Sequence, residues 1–215
     1  MSSIARYVTA VTLLFLAGRE LEAQRGGLRE IGVGSAWHLG FAVAEPVGQF
    51  ARFVGVHPGL EAAFTSGGPV GVRLEGSMLV YGSTRYLVPA GWGYAYAYKT
   101  DNLISSLGVG PQLTLGRGAL RLYGYGTVGV GYFATVTSAD GCGCGYTTTE
   151  YDDVAFARTA GAGLQIALSR RRPWFLDLSA RYIRHGRVSY LSGDQVVESD
   201  ANLVVYRLGM SFGRR

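Results

Sequence analysis

Along Val70-Gly-Val72-Arg-Leu74-Glu-Gly76-Ser-Met78-Leu-Val80 the even positions are apolar or glycine, while the odd ones carry Arg73, Glu75 and Ser77. Successive side chains of a β-strand point to opposite faces, so such a segment has one greasy and one polar side. The same alternation recurs in eight stretches: Arg29 to Leu39, Val54 to Phe64, Val70 to Gly82, Asp101 to Gly116, Ala119 to Thr135, Val154 to Leu168, Trp174 to Leu191 and Asp200 to Gly213. Three connections, Thr65 to Pro69, Arg117-Gly118 and Ser169 to Pro173, are short and rich in turn formers. Those between them are long: Gly40 to Phe53, Ser83 to Thr100, Val136 to Asp153 and Ser192 to Ser199. Alternating short and long links between an even number of strands predict an all-β fold, an eight-stranded antiparallel up-and-down transmembrane β-barrel.

The polar parity decides which face is outside. On the fourth stretch it reads Ile104, Ser106, Gly108, Gly110, Gln112, Thr114. A soluble ligand-carrying barrel needs a richly charged outer face. This set is too poor in charge for that and suits a narrow lumen, so the apolar parity is expected to face lipid. Composition agrees, with 33 Gly, 14 Tyr and 16% charged residues in 215.

The apolar run from Tyr7 to Gly18 follows Arg6 and has the length of a signal-peptide core rather than of a membrane helix. Residues 1–23 are expected to be a cleaved signal peptide and residues 24–215 the outer-membrane barrel domain. Net charge is +5 and pI about 9.3, yet the basic residues are scattered through strands and turns rather than gathered in a stripe, which argues against nucleic acid as a partner.

Interfacial aromatic rings belong at strand ends on the lipid-facing parity. Trp37, Tyr132, Phe156 and Tyr190 are expected to form the outer girdle, and Phe64, Trp174 and Phe212 the periplasmic one. Val204, Tyr206, Leu208, Met210 and Phe212 alternate toward the C-terminus. This last strand, with the segment Arg181 to Leu191, resembles small eight-stranded bacterial outer-membrane barrels such as the transmembrane domain of outer-membrane protein A. The resemblance implies a Gram-negative-type outer-membrane address, periplasmic termini, a porin-like architecture, and outer-membrane lipid and the barrel-assembly machinery as partners. Gly213-Arg214-Arg215 after the aromatic departs from that pattern.

Lumen-facing charges are the most informative candidate set. If Phe64 lies opposite Val70, Glu61 falls opposite Arg73, with Glu75 one step higher; a similar register sets Gln165 opposite Asp177, and Arg121 and Arg207 lie on the same level. Buried charges need partners. Glu61, Arg73, Glu75, Arg121, Asp177 and Arg207 are therefore expected to form one ion-pair layer that closes a lumen eight strands can just enclose.

His57, His185 and Ser189 raise the alternative of a lipid-A-modifying hydrolase, but His185 and Ser189 share the lumenal parity unless a bulge near Gly186 intervenes. No catalytic, metal or cofactor site is expected. Cys142 and Cys144 lie in the third long connection, where an oxidising compartment favours a disulfide, with intermolecular pairing and a two-thiolate zinc site as alternatives. Trp92, Tyr94, Tyr96 and Tyr98 share one face of any extended hairpin, which reads as strands three and four continuing beyond the membrane or as a binding stripe. The function expected is non-enzymatic: a plugged wall presenting loops for envelope integrity or for an unidentified extracellular ligand. A small channel or transporter for apolar or ionic solutes is the alternative.

Overall fold

The computed structural model describes residues 35–66, 68–91, 94–116, 118–140, 146–169, 172–192 and 195–213. Eight strands are present: β1 (Ala36–Val47), β2 (His57–Thr65), β3 (Val70–Gly91), β4 (Tyr94–Leu115), β5 (Leu120–Asp140), β6 (Tyr146–Ala167), β7 (Trp174–Ser192) and β8 (Gln195–Gly213). Each pairs antiparallel with its sequence neighbours, and β1 pairs with β8 from Ala36↔Gly213 to Val47↔Asn202, so the sheet closes on itself. Closure removes every edge, leaving no unpaired row of backbone donors for another chain or for lipid to meet. Among the described residues no helix is long and apolar enough to cross a membrane, which says nothing about strands.

The wall is apolar on the outside. Phe41 is 74% exposed, Val70 70% and Leu107 56%, all on the parity that alternation assigns to lipid. Water would not tolerate a continuous belt of this kind on a monomer. Tight turns close the rim where both described ends lie, with Gly68 and Gly118 at φ of 97° and 87°, a left-handed conformation that glycine adopts without a Cβ penalty.

Several strand limits differ from expectation. β1 begins at Ala36 and runs to Val47, so most of the stretch read as a loop from Gly40 to Phe53 is strand. Its real alternation sets Trp37, Leu39, Phe41 and Val43 outward against inward His38, Gly40, Ala42 and Ala44. Beyond His38 the inward side is small rather than charged, so the alternation is one of size and not of polarity. The segments Ser83 to Thr100, Val136 to Asp153 and Ser192 to Ser199 are also largely strand, because β3 to β6 run 21–22 residues and β7 and β8 run 19. A membrane crossing needs only about 9–11 residues. The excess continues as paired ribbon beyond the apolar wall, where consecutive polar residues such as Thr147, Thr148 and Thr149 are exposed and show no alternation. In the β3–β4 ribbon Tyr86 and Tyr98 stack with ring centroids 5.3 Å apart; Trp92 lies outside the described residues, as do Cys142 and Cys144.

Candidate functional site

Two registers place the polar residues of the lumen. Across the first turn Phe64 pairs with Leu74 and Thr65 with Arg73, so Glu61 stands opposite Ser77 and not opposite Arg73. The turn is longer than the expectation assumed, and the pairing slides accordingly. Arg73 still reaches along the strand, away from the turn, and its Nη2 donates to Glu61 Oε1 at 3.2 Å. At the third turn Gln165 faces Asp177, as the spacing suggested.

The charges meet in one layer near the short-turn rim. Arg73 Nε donates to Glu75 Oε2 at 2.8 Å and its Nη1 to Gln112 Oε1 at 3.2 Å. Arg207 Nη1 donates to Glu61 Oε1 at 2.9 Å, and Arg207 Nη2 lies 2.9 Å from Asp177 Oδ1. Thr127 Oγ1 donates to Glu75 Oε1 at 2.8 Å, and the Tyr123 hydroxyl donates to Asp177 Oδ1 at 2.6 Å. Arg121 is also buried, with its guanidinium carbon 4.4 Å from the centre of the Phe175 ring.

Two members of the layer escaped the sequence reading. Arg181 Nη2 lies 3.2 Å from Glu61 Oε2 and its Nη1 3.3 Å from Glu75 Oε2. It shares the parity of Asp177 on β7, which was signal enough. His38 Nδ1 donates to Asp177 Oδ2 at 2.7 Å, and its Nε2 sits 3.2 Å from Thr65 Oγ1. It lies next to Leu39, the expected end of the first strand, where parity alone carries little signal. With these two, Arg73, Arg181 and Arg207 balance Glu61, Glu75 and Asp177, all of them buried. Charges removed from water are tolerable only when matched in this way.

Glycines make the space. The ring of Tyr125 lies over Gly161, and a Cβ there would fall 2.6 Å from its Cζ; Tyr123 lies in the same way over Gly163, where a Cβ would also fall 2.7 Å from Leu178 O. Gly163→Ala should therefore displace Tyr123 from Asp177 and Arg207, at a cost of about 1–3 kcal/mol for an overpacked core. Urea unfolding in lipid vesicles measures it, and an unchanged midpoint would show that the ring has room to move.

A second, apolar layer fills the other end of the lumen. The β1–β2 connection turns inward at a single 3-10 turn, Phe50–Arg52, and buries Phe50 completely. Its ring meets Tyr190 edge-on at 5.0 Å, with Tyr81 at 6.2 Å and Phe133 at 6.5 Å. Leu79, Ile104, Ile183 and Leu203 complete the packing. Between the two layers lies a void of about 10 Å³ bordered by Glu75, Thr127, Thr159 and Arg181, room for about one water.

The aromatic positions divide. Trp37 sits at the short-turn rim, paired with both Phe64 and Phe212 and 5.0 Å from the Phe64 ring, and not in the outer girdle. Trp174 packs edge-on against Phe212 at 5.8 Å on the same rim. Tyr132 and Phe156 are exposed on the wall toward the long-strand end. Tyr190 is wholly buried in the lumen, because a register shift between Arg184 and Arg187 reverses the parity of β7 above it. The same shift separates the suspected pair. His185 faces inward, its Nδ1 donating to Ala201 O at 2.7 Å, while Ser189 turns outward and its backbone N–H donates to Asp153 Oδ2 at 2.8 Å. His57 is buried against the Tyr81 ring, 6.0 Å away. Neither His57 nor His185 is hydrogen-bonded to Ser189.

No protein-family model matches the chain, and no curated protein sequence matches it either. Among solved structures it is similar to the attachment invasion locus protein Ail of Yersinia pestis, at 17% identity and a TM-score of 0.43 over 85% of this chain and 99% of that one. Neisserial surface protein A gives 15% identity and 0.47 over 84% and 97%. The outer membrane protein OprG of Pseudomonas aeruginosa gives 16% and 0.46 over 86% and 97%. Closure, parity and the apolar wall establish the barrel independently of these likenesses.

Proposed function

We propose that this chain is a non-enzymatic outer-membrane barrel with a plugged lumen, whose rigid wall holds its long outer ribbons for envelope integrity or surface binding. One observation carries the reading: the lumen is blocked at two separate levels, by the matched layer around Glu61 and by the Phe50 stopper. An eight-stranded barrel has little interior to spare, and here side chains fill it. In this reading residues 1–23 are removed as a signal peptide, both termini are periplasmic, the assembly machinery inserts the barrel, and the long β3–β4, β5–β6 and β7–β8 ribbons face outward. Outer-membrane lipid and an extracellular ligand are its partners.

Conductance in planar bilayers tests it. The purified barrel should show no unitary current at moderate voltage, whereas a wet pore lined by the same charges would pass ions with a measurable selectivity. Stable openings from the intact protein would overturn the plug and restore the channel reading.

A further inference from the structure

Two arginines stand side by side on the outer wall. Arg158 of β6 and Arg184 of β7 are cross-strand partners, and both are exposed on the lipid-facing parity. Like charges directly opposite repel. Among the described residues neither forms an ion pair, and the Arg158 guanidinium carbon lies 5.4 Å from the centre of the Phe156 ring. The next outward arginine of β7, Arg187, is engaged with Glu198 at 3.5 Å.

Height explains what such a pair meets. Arg184 follows Trp174, which belongs to the short-turn girdle, by ten residues along β7. At about 3.3 Å per residue and a tilt of about 40°, that is about 25 Å, the full height of a lipid-facing apolar band. The outward residues between them, Leu176, Leu178, Ala180 and Tyr182, carry no charge. Below the pair, beyond the cross-strand partners Ala160 and Tyr182, the wall is recessed: Gly124, Ala162 and Ala180 are successive cross-strand partners, and with Leu164, Leu178 and Tyr206 they line an apolar hollow of about 940 Å³.

We propose that Arg158 and Arg184 clamp a phosphate carried by a lipid of the outer leaflet, with one acyl chain of that lipid lying in the hollow beneath. The proposal rests on reading the wall as spanning an outer membrane. Planar guanidinium groups match phosphate oxygens in pairs, and cross-strand neighbours are close enough for both to reach one phosphate. The anion cancels the repulsion that otherwise sets these strands against each other. The hollow below distinguishes a lipid phosphate from a free one, because only the lipid fills both parts.

Native mass spectrometry of the full barrel in detergent micelles tests this, with diphosphoryl lipid A, its dephosphorylated form and inorganic phosphate as probes. The wild-type protein should retain the phosphorylated lipid at least about tenfold more strongly than R158Q/R184Q, as expected for lost charge-assisted contacts. R158K/R184K should fall between them, and the dephosphorylated lipid should bind all three equally weakly. Equal retention by the wild type and R158Q/R184Q, or no preference for the phosphorylated form, overturns the clamp. Competition by inorganic phosphate at lipid-like concentrations overturns the lipid as its source. The heat-dependent gel shift of a closed barrel verifies that each variant is folded. A wild-type protein that stays soluble and monomeric without detergent would instead overturn the membrane reading itself.

Discussion

Glu61→Ala should destabilise the barrel by about 3–5 kcal/mol, the loss typical of a buried charge network deprived of one partner. Glu61 lies 3.2 Å from Arg73, 3.2 Å from Arg181 and 2.9 Å from Arg207, so its removal leaves three guanidinium groups sharing Glu75 and Asp177. Arg73→Ala should cost less. Glu61 then keeps Arg181 and Arg207, and Glu75 keeps Arg181. An isolated pair would lose equally from either side, whereas a hub loses more when the hub itself is removed. The double variant should recover part of the Glu61→Ala loss, because one uncompensated charge goes with it. Urea unfolding in lipid vesicles across the four-member cycle measures this. Near-zero, additive effects would mean that the layer is wet, and would reject the plug.

Phe50→Ala should cost about 3–5 kcal/mol at most, the range for removing a large aromatic from a packed core. The loss falls on one place, since the ring is the largest contribution of the β1–β2 connection to the apolar layer, with Tyr190, Tyr81 and Phe133 around it and Val54 as the connection's smaller member. Without that anchor the connection should loosen, and trypsin should cut after Arg52 faster than in the wild type. Conductance should stay at zero, because the layer around Glu61 closes the lumen independently. A variant with unchanged stability and unchanged cleavage would show that Phe50 is not a stopper. One that conducts would show that the charged layer does not seal.

Strand count, up-and-down order and the parity that meets lipid are legible in the residues alone, because alternation is a local property of the extended chain and the wall must be apolar along its whole height. Glu61, Arg73, Glu75, Asp177 and Arg207 are likewise legible as inward charges, since parity can be read within each strand. Three things are not legible there. Register depends on how many residues each turn consumes, and the first turn consumed more than its glycines suggested, moving Glu61 from Arg73 to Ser77 while the long arginine side chain still bridged the gap. Parity reverses at a bulge, so the shift between Arg184 and Arg187 sent Tyr190 into the lumen and Ser189 out of it. The burial of Phe50 depended on closure of the barrel, because a loop residue becomes core only once eight strands have enclosed a space of its size, and no alternation in its own segment records that.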